Sequence, residues 1–245
     1  MHSLVLLPGL AGDAFMWRAQ LEALAPWQPR VADVHTRHHS IEAMASALLA
    51  EHPGQLVLCG ASMGGMVAME TARQAPERVA GLALLGTDAT PESDAMRQLR
   101  EAAIVLFDQG RVRQVIEPNV AFAFHPDNAR RPDLVDAYLR FVLDAGAQQL
   151  TRQNRAVIAR PDARAHLPRL DCPVLVMCGE DDQLTPPDKS RQIASLVPQA
   201  RLVLVPRCGH MLTMERPDLV NATLAAWLRE VMPAVGSTGL ASARD

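Results

Sequence analysis

The chain has 245 residues, of which 49% are hydrophobic and 21% charged, and a formal net charge of -3. That length suits one large α/β domain with a sizeable core and room for an insertion. The absence of a basic block or of an apolar stretch near the ~20 residues of a membrane span excludes nucleic acid and membrane as expected partners.

Residues 3–7 are apolar and end in Pro8-Gly9, which predicts a buried strand feeding a functional loop; with no basic flank, this run is not a signal peptide. A helix follows with Trp17, Leu21 and Leu24 on one face, stopping near Pro26, and residues 30–35 predict a weaker strand. Ser40 can cap a helix carrying Ile41, Met44, Ala45, Leu48 and Leu49, which His52-Pro53-Gly54 terminates. An apolar strand over 55–59, a helix over 63–74 and a strand over 79–85 closed by Gly86 come next. Strands alternating with helices need right-handed crossovers, so the pattern predicts a mostly parallel, doubly wound sheet with helices on both faces.

From 88 to 168 the alternation gives way to helical spacing, punctuated by Pro91, Pro118, Pro126, Pro132 and Pro161. A stretch this long is expected to be a helical cap inserted over the carboxyl edge of the sheet. Alternation resumes with a strand over 173–178, a helix opened by Pro187, a last strand over 201–205 and a final helix opened by Pro217. The expected organisation is a core of residues 1–87 and 169–232, a cap of 88–168 and a mobile tail of 233–245. Because the first strand starts at residue 3, a minimal sheet of about six strands is expected. The four cysteines, Cys59, Cys172, Cys178 and Cys208, lack CxxC spacing and lie in or beside apolar runs, as reduced core residues of a cytoplasmic protein do.

Chemistry concentrates where strands end. Gly60-Ala61-Ser62-Met63-Gly64-Gly65 follows an apolar strand and opens a helix, the setting of a nucleophile elbow. Side chains at Gly60 and Gly64 would collide with neighbouring strand or helix backbone. An acid within Glu180-Asp181-Asp182 and His210 after Gly209 each follow a later strand, so serine, acid and histidine can converge at one sheet edge. His35, His38 and His39 lack Cys or acidic partners at zinc spacing and are expected in a solvated loop, while His125 and His166 are expected to pack or face solvent.

These motifs, in this order, resemble the α/β-hydrolase fold family across nearly the whole chain, from Leu6-Leu7-Pro8-Gly9-Leu10 through the elbow, Gly179-x-x-Asp182-x-x-x-Pro186 and Cys208-Gly209-His210 to Glu215-x-Pro217. The resemblance implies Ser62 as nucleophile, His210 as general base and Asp182 as the acid that orients it, with Asp88 a minor alternative acid and Asp181 a surface carboxylate. It also implies an oxyanion hole from the backbone N–H groups of Leu10 and Met63, although Pro8 stands where many members carry histidine. No cofactor or metal is implied. The expected reaction is hydrolysis of a small carboxylic ester through an acyl-enzyme, with activity falling below about pH 6–7 as His210 protonates.

Phe107, Phe122, Phe124 and Tyr138 of the cap are candidates to line an acyl pocket, beside a packing role. The same resemblance extends to enol-lactone and carbon–carbon bond hydrolases, which bind anionic substrates through an arginine; Arg111, Arg113, Arg152, Arg155 and Arg160 are the candidates. Acyl transfer and a non-catalytic ligand-binding role complete the alternatives. Neither the natural ester nor the oligomeric state is specified by these residues.

Overall fold

A computed structural model describes residues 2–233. The expected tail over 233–245 therefore lies, beyond Pro233, outside the described residues. In chain order the elements are β1 (His2–Leu7), α1 (Arg18–Ala23), β2 (Arg30–Val31), α2 (Val34–Arg37), α3 (Ile41–Glu51), β3 (Gln55–Ala61), α4 (Met63–Gln74) and β4 (Val79–Leu85). After β4 come α5 (Asp94–Asp108), α6 (Val112–Ala123) and α7 (Pro132–Ile158), then β5 (Val174–Gly179), α8 (Pro187–Leu196), β6 (Arg201–Val205), α9 (Leu212–Glu215) and α10 (Pro217–Val231).

The six strands form one sheet in the order β2-β1-β3-β4-β5-β6, and every neighbouring pair is parallel. The chain steps outward from β1 to β2, then crosses back to β3 and onward. The loops after β1 and β3 thus diverge and leave a crevice at the carboxyl edge, where open α/β sheets bind ligands. Register aligns the strand ends there, with Leu7 beside Gly60, Ala61 beside Leu85 and Gly179 beside Val205.

Strand alternation divides the core between the two faces. Val5, Leu7, Leu56, Leu58, Leu82, Leu84 and Val176 pack on one side against Met44 and Leu48 of α3, Val67 of α4 and Ile193 of α8. Leu4, Leu6, Val57, Cys59, Ala83 and Met177 pack on the other against Trp17 and the Val220-Leu224-Trp227 stripe of α10. Phe107, Phe124 and Phe141 from α5–α7 and their connections join this second cluster, so the inserted helices share a core with the sheet.

Three local expectations are corrected. Residues 30–35 pair only at Arg30 and Val31 before the chain turns into α2, a single helical turn closed by the His38 N–H donating to Val34 O at 3.1 Å. The first helix is broken into a 3-10 turn (Ala14–Trp17), α1 and a second 3-10 turn (Ala25–Trp27), with Asp13 capping the Phe15 N–H. Pro118 lies inside α6 instead of punctuating it; its ring is on the exposed side, where water can serve the carbonyl it leaves without a donor. Gly146, at φ 73° and ψ 167°, bends α7 into two segments through a conformation open to glycine.

A buried ion network ties α7 to the strand edge. Arg160, at the end of α7, meets Glu92 at 2.9 Å and Asp88 at 3.6 Å, while Arg100 holds Glu92 at 2.6 Å and Lys189 holds Asp88 at 2.9 Å. Burial pushes the Glu92 carboxyl up, but the two guanidiniums outweigh it and hold it below the usual range. Removing one member of such a network strands a buried charge. Arg160→Met is therefore expected to cost about 3 kcal/mol or more in urea unfolding, and a loss under about 1 kcal/mol would show that the network is energetically idle.

Candidate active site

Ser62 occupies the turn between β3 and α4 at φ 52° and ψ -118°, a strained backbone for a residue with a side chain. Its own peptide groups are tied down, with the N–H donating to Leu85 O at 2.9 Å and the carbonyl accepting from Thr87 Oγ1 at 2.7 Å. The flanking glycines are sterically required. A methyl on Gly60 would overlap the Gly64 carbonyl and lie 2.6 Å from Gly65 N, and one on Gly64 would overlap the Leu7 carbonyl and lie 2.7 Å from Pro8 O. Gly9 in turn sits so close that a methyl there would be 3.3 Å from Ser62 Cβ.

Asp182 follows β5 and His210 follows β6. His210 Nδ1 lies 2.8 Å from Asp182 Oδ2, and since a carboxylate only accepts, Nδ1 carries the proton and Nε2 keeps its lone pair. The Asp182 side chain has no exposed surface and that of His210 is 10% exposed. Every oxygen of the acid is engaged: Oδ1 accepts from the Leu184 and Thr185 N–H groups at 2.9 Å each, and Oδ2 also accepts from Thr185 Oγ1 at 2.8 Å. Thr185 Oγ1 is also 3.2 Å from His210 Nδ1. Thr185 belongs to no motif in the sequence; its position three residues after the acid, within reach of a local side-chain turn, is the signal available there.

Electrostatics follow from this packing. Burial pulls the His210 pKa down, but the Asp182 carboxylate at hydrogen-bond distance outweighs it, and the imidazole is held above its ordinary 6.5. Burial pushes Asp182 up, yet the His210 charge and the Thr185 donors win and hold it below the ordinary carboxylate value. Gly86 closes the back of the pair, since a methyl there would stand 3.2 Å from Asp182 Oδ2 and 3.5 Å from His210 Nδ1.

The loop after β1 completes the crevice. Its turn is closed by Gly12 N–H donating to Gly9 O at 3.0 Å, and Ala11 within it has φ 60°. Among the described residues, neither the Leu10 N–H nor that of Met63, the first residue of α4, donates to a protein acceptor. Both expected oxyanion donors are therefore uncommitted.

Other candidates take no part in the Asp182–His210 hydrogen bond. Asp88 is engaged by Lys189 and Arg160, and Asp181 is exposed, with His125 Nε2 at 3.7 Å. Phe107 and Phe124 are core residues at 2% and 0% exposure, and Phe124 meets Tyr138 edge to face at 5.4 Å, which is the packing role expected beside pocket lining. Tyr138 is half-buried, and burial pushes its phenol up to about 12. Phe122 is 46% exposed. The expected solvated loop holds for His39 alone; His35 is buried with Nε2 2.7 Å from Gly12 O, and burial lowers its pKa. His166 packs with Nε2 3.1 Å from Met69 O.

The five candidate arginines have other partners, with Arg155 3.9 Å from Asp108. Arg111 and Arg113 bond Gln114 and Glu117 on α6, Arg160 is in the ion network, and Arg152 donates to Thr36 O. Arg152 and Arg155 line, with His39, Asp108, Gln148 and Thr151, a cleft of about 350 Å³ that includes none of Ser62, Asp182 and His210. Among the described residues no group of three or more His, Cys, Asp or Glu side chains is placed to hold a metal, and no helix is long and apolar enough to cross a membrane.

Known proteins are similar to this chain in sequence and fold. A thermophilic esterase from Thermogutta terrifontis, solved with malate bound, superposes with a TM-score of 0.87 at 30% identity, covering 94% of this chain and 90% of that one. The enol-lactonase from Burkholderia xenovorans LB400 shares the fold, with a TM-score of 0.82 at 24% identity over 93% of this chain and 92% of that one. A pimeloyl-(acyl-carrier protein) methyl ester esterase of Aromatoleum aromaticum is 31% identical over 242 residues, 88% of this chain and 93% of that protein. The family model for the alpha/beta hydrolase fold matches residues 36–217, most of the described structure, and the chain belongs to that family.

Proposed function

We propose that this protein is a carboxylic ester hydrolase that works through an acyl-enzyme on Ser62. The observation that carries this reading is the buried 2.8 Å hydrogen bond between Asp182 and His210 Nδ1, which leaves Nε2 free to accept a proton. The strained Ser62 turn on the same sheet edge and the ester substrates named for two relatives support it. The five arginines weighed for an anionic substrate, Arg111, Arg113, Arg152, Arg155 and Arg160, each have other partners, which favours a small neutral ester.

Each step then balances. Ser62 Oγ attacks the ester carbonyl carbon while its proton passes to His210 Nε2; the new imidazolium is stabilised by Asp182. The carbonyl oxygen, now anionic, is held by the Leu10 and Met63 N–H groups, each worth roughly 10²–10³ in rate. Collapse breaks the bond to the alkoxy oxygen, which leaves as alcohol with the proton from His210. His210 next takes a proton from water, the hydroxyl attacks the acyl carbon, and Ser62 departs with that proton as the acid is released.

Ser62→Ala is expected to lower kcat for p-nitrophenyl butyrate by at least about 10⁴-fold while the thermal midpoint stays within a few degrees. Survival of a tenth of the activity would reject Ser62 as nucleophile. The acid limb should also lie higher than ordinary histidine chemistry predicts. Neutral His210 is the active form and its pKa is raised, so activity is lost as pH falls through a value above 6.5. Asp182→Asn removes the charge that raises it, so this limb should move to lower pH while kcat falls by about 10⁴-fold. A limb that stays in place would mean that another group controls the profile.

A further inference from the structure

We propose that Glu215 is a positioning residue for His210: its one carboxylate fixes both the peptide that precedes the histidine and the segment after α6 that receives the histidine N–H. This inference rests on the ester-hydrolase reading above.

The backbone around His210 forms a closed ring of hydrogen bonds. Gly209 N–H donates to Glu215 Oε1 at 2.9 Å, and His210 N–H donates to Ala123 O at 2.9 Å. Two residues on from Ala123, His125 N–H donates back to Glu215 Oε2 at 2.8 Å, where Asn128 Nδ2 joins it at 2.8 Å. The peptides on either side of Gly209 are therefore both held, as are those on either side of Phe124, and neither residue can rotate without breaking a bond of the ring. The two also lie in contact, since a methyl on Gly209 would stand 2.6 Å from Phe124 C and from His125 N.

The peptide that Glu215 grips reaches the acid as well. Its carbonyl, Cys208 O, accepts from Asp181 N at 3.0 Å, one residue before Asp182. A peptide is planar, so tilting its N–H away from Glu215 tilts its carbonyl away from Asp181. The 2.8 Å bond between Asp182 and His210 is thus framed by backbone that closes on a single side chain. That side chain has to be a carboxylate. Glu215 is 5% exposed and needs an acceptor on both sides, whereas an amide offers one oxygen and turns its NH₂ toward the donors on the other. Glu215 is fixed in its own right at the end of α9, where its N–H donates to Met211 O at 2.9 Å. Misplacement of a reacting group by about 1 Å can cost on the order of 10²-fold.

The same charge acts on His210 through space. Burial lowers the imidazole pKa, the carboxylates of Asp182 and Glu215 raise it, and Arg100 opposes them. The other titratable groups at the clamp are the Cys208 thiol, 3.9 Å from Glu215 Oε1 and pushed up by burial, and His125, whose ring faces Asp127 and Asp181.

Glu215→Gln keeps the shape of the side chain and is the variant to test. On p-nitrophenyl butyrate, kcat per folded molecule is expected to fall about 10- to 100-fold with KM changed less than about threefold, and the acid limb to move to lower pH. Amide hydrogen exchange at His210 should quicken at least about tenfold. A lower thermal midpoint with kcat and the limb unchanged would mark a merely structural residue and overturn the proposal, as would unchanged exchange at His210. Should Glu215→Gln not fold, Asn128→Ala removes one donor and spares the charge. It should speed His210 exchange and lower kcat about 3- to 10-fold without moving the limb, and no change in either overturns the proposal. Ser62→Ala run in parallel separates the two readings. Turnover that survives that change removes the serine mechanism and the catalytic role of Glu215 with it, whereas unchanged His210 exchange in the Glu215 variant removes the clamp alone.

Discussion

The site depends on how closely the first turn of α4 can approach β1 and β3. Ser62 stands at φ 52° in a turn whose close approach needs residues without a Cβ two positions to either side, Gly60 against Gly64 and Gly64 against the Leu7 carbonyl. A residue held in such a conformation costs on the order of 1–3 kcal/mol, which the surrounding structure must offset. Here the offset comes from two sources: the bonds from Ser62 N to Leu85 O and from Thr87 Oγ1 to Ser62 O, and the burial of α4 along nearly its whole length. The same close approach brings Gly9 against Ser62, so the loop after β1 and the elbow share one crevice.

The inserted helices are part of the scaffold on which that crevice is built. At the end of α6, Ala123 O accepts the N–H groups of both His210 and Met211, fixing the histidine loop at 2.9 Å and 3.2 Å. Glu215, buried at 5% exposure, gathers the same elements from below: it accepts from Gly209 N, from His125 N and from Asn128 Nδ2. Burial pushes its carboxyl above the usual range against the pull of these donors. On the opposite side of the crevice, Gln153 reaches the turn that carries Leu10. A segment so tied to both loops, and sharing its aromatic core with one face of the sheet, supports the site.

Much of this was legible because it depends on local chemistry. The bounds of β4, β6, α4 and the start of α10 follow directly from apolar runs stopped by Gly or Pro, and the parallel order follows from their alternation with helices. Ser62 and His210 could be picked out since each follows a strand, at the edge where parallel sheets gather ligands, whereas Asp182 is separated from Glu180 and Asp181 only by its resemblance to the family pattern. What the sequence hid was tertiary. Nothing local distinguishes His35, buried and bonded to Gly12, from its exposed neighbour His39, because burial of α2 depends on a helix more than a hundred residues later. Gln153 sits among polar helix residues with no motif to mark it, and Phe124 reads equally well as pocket lining or core until its neighbours are known.

The most direct test of the central claim, that Ser62 is an activated nucleophile beside His210, is covalent labelling of the folded protein with a fluorophosphonate, followed by peptide mass mapping. A single adduct on Ser62, strongly reduced in His210→Ala, is the predicted result. An unlabelled Ser62 in protein of native circular dichroism, or labelling that does not change when His210 is removed, would contradict it.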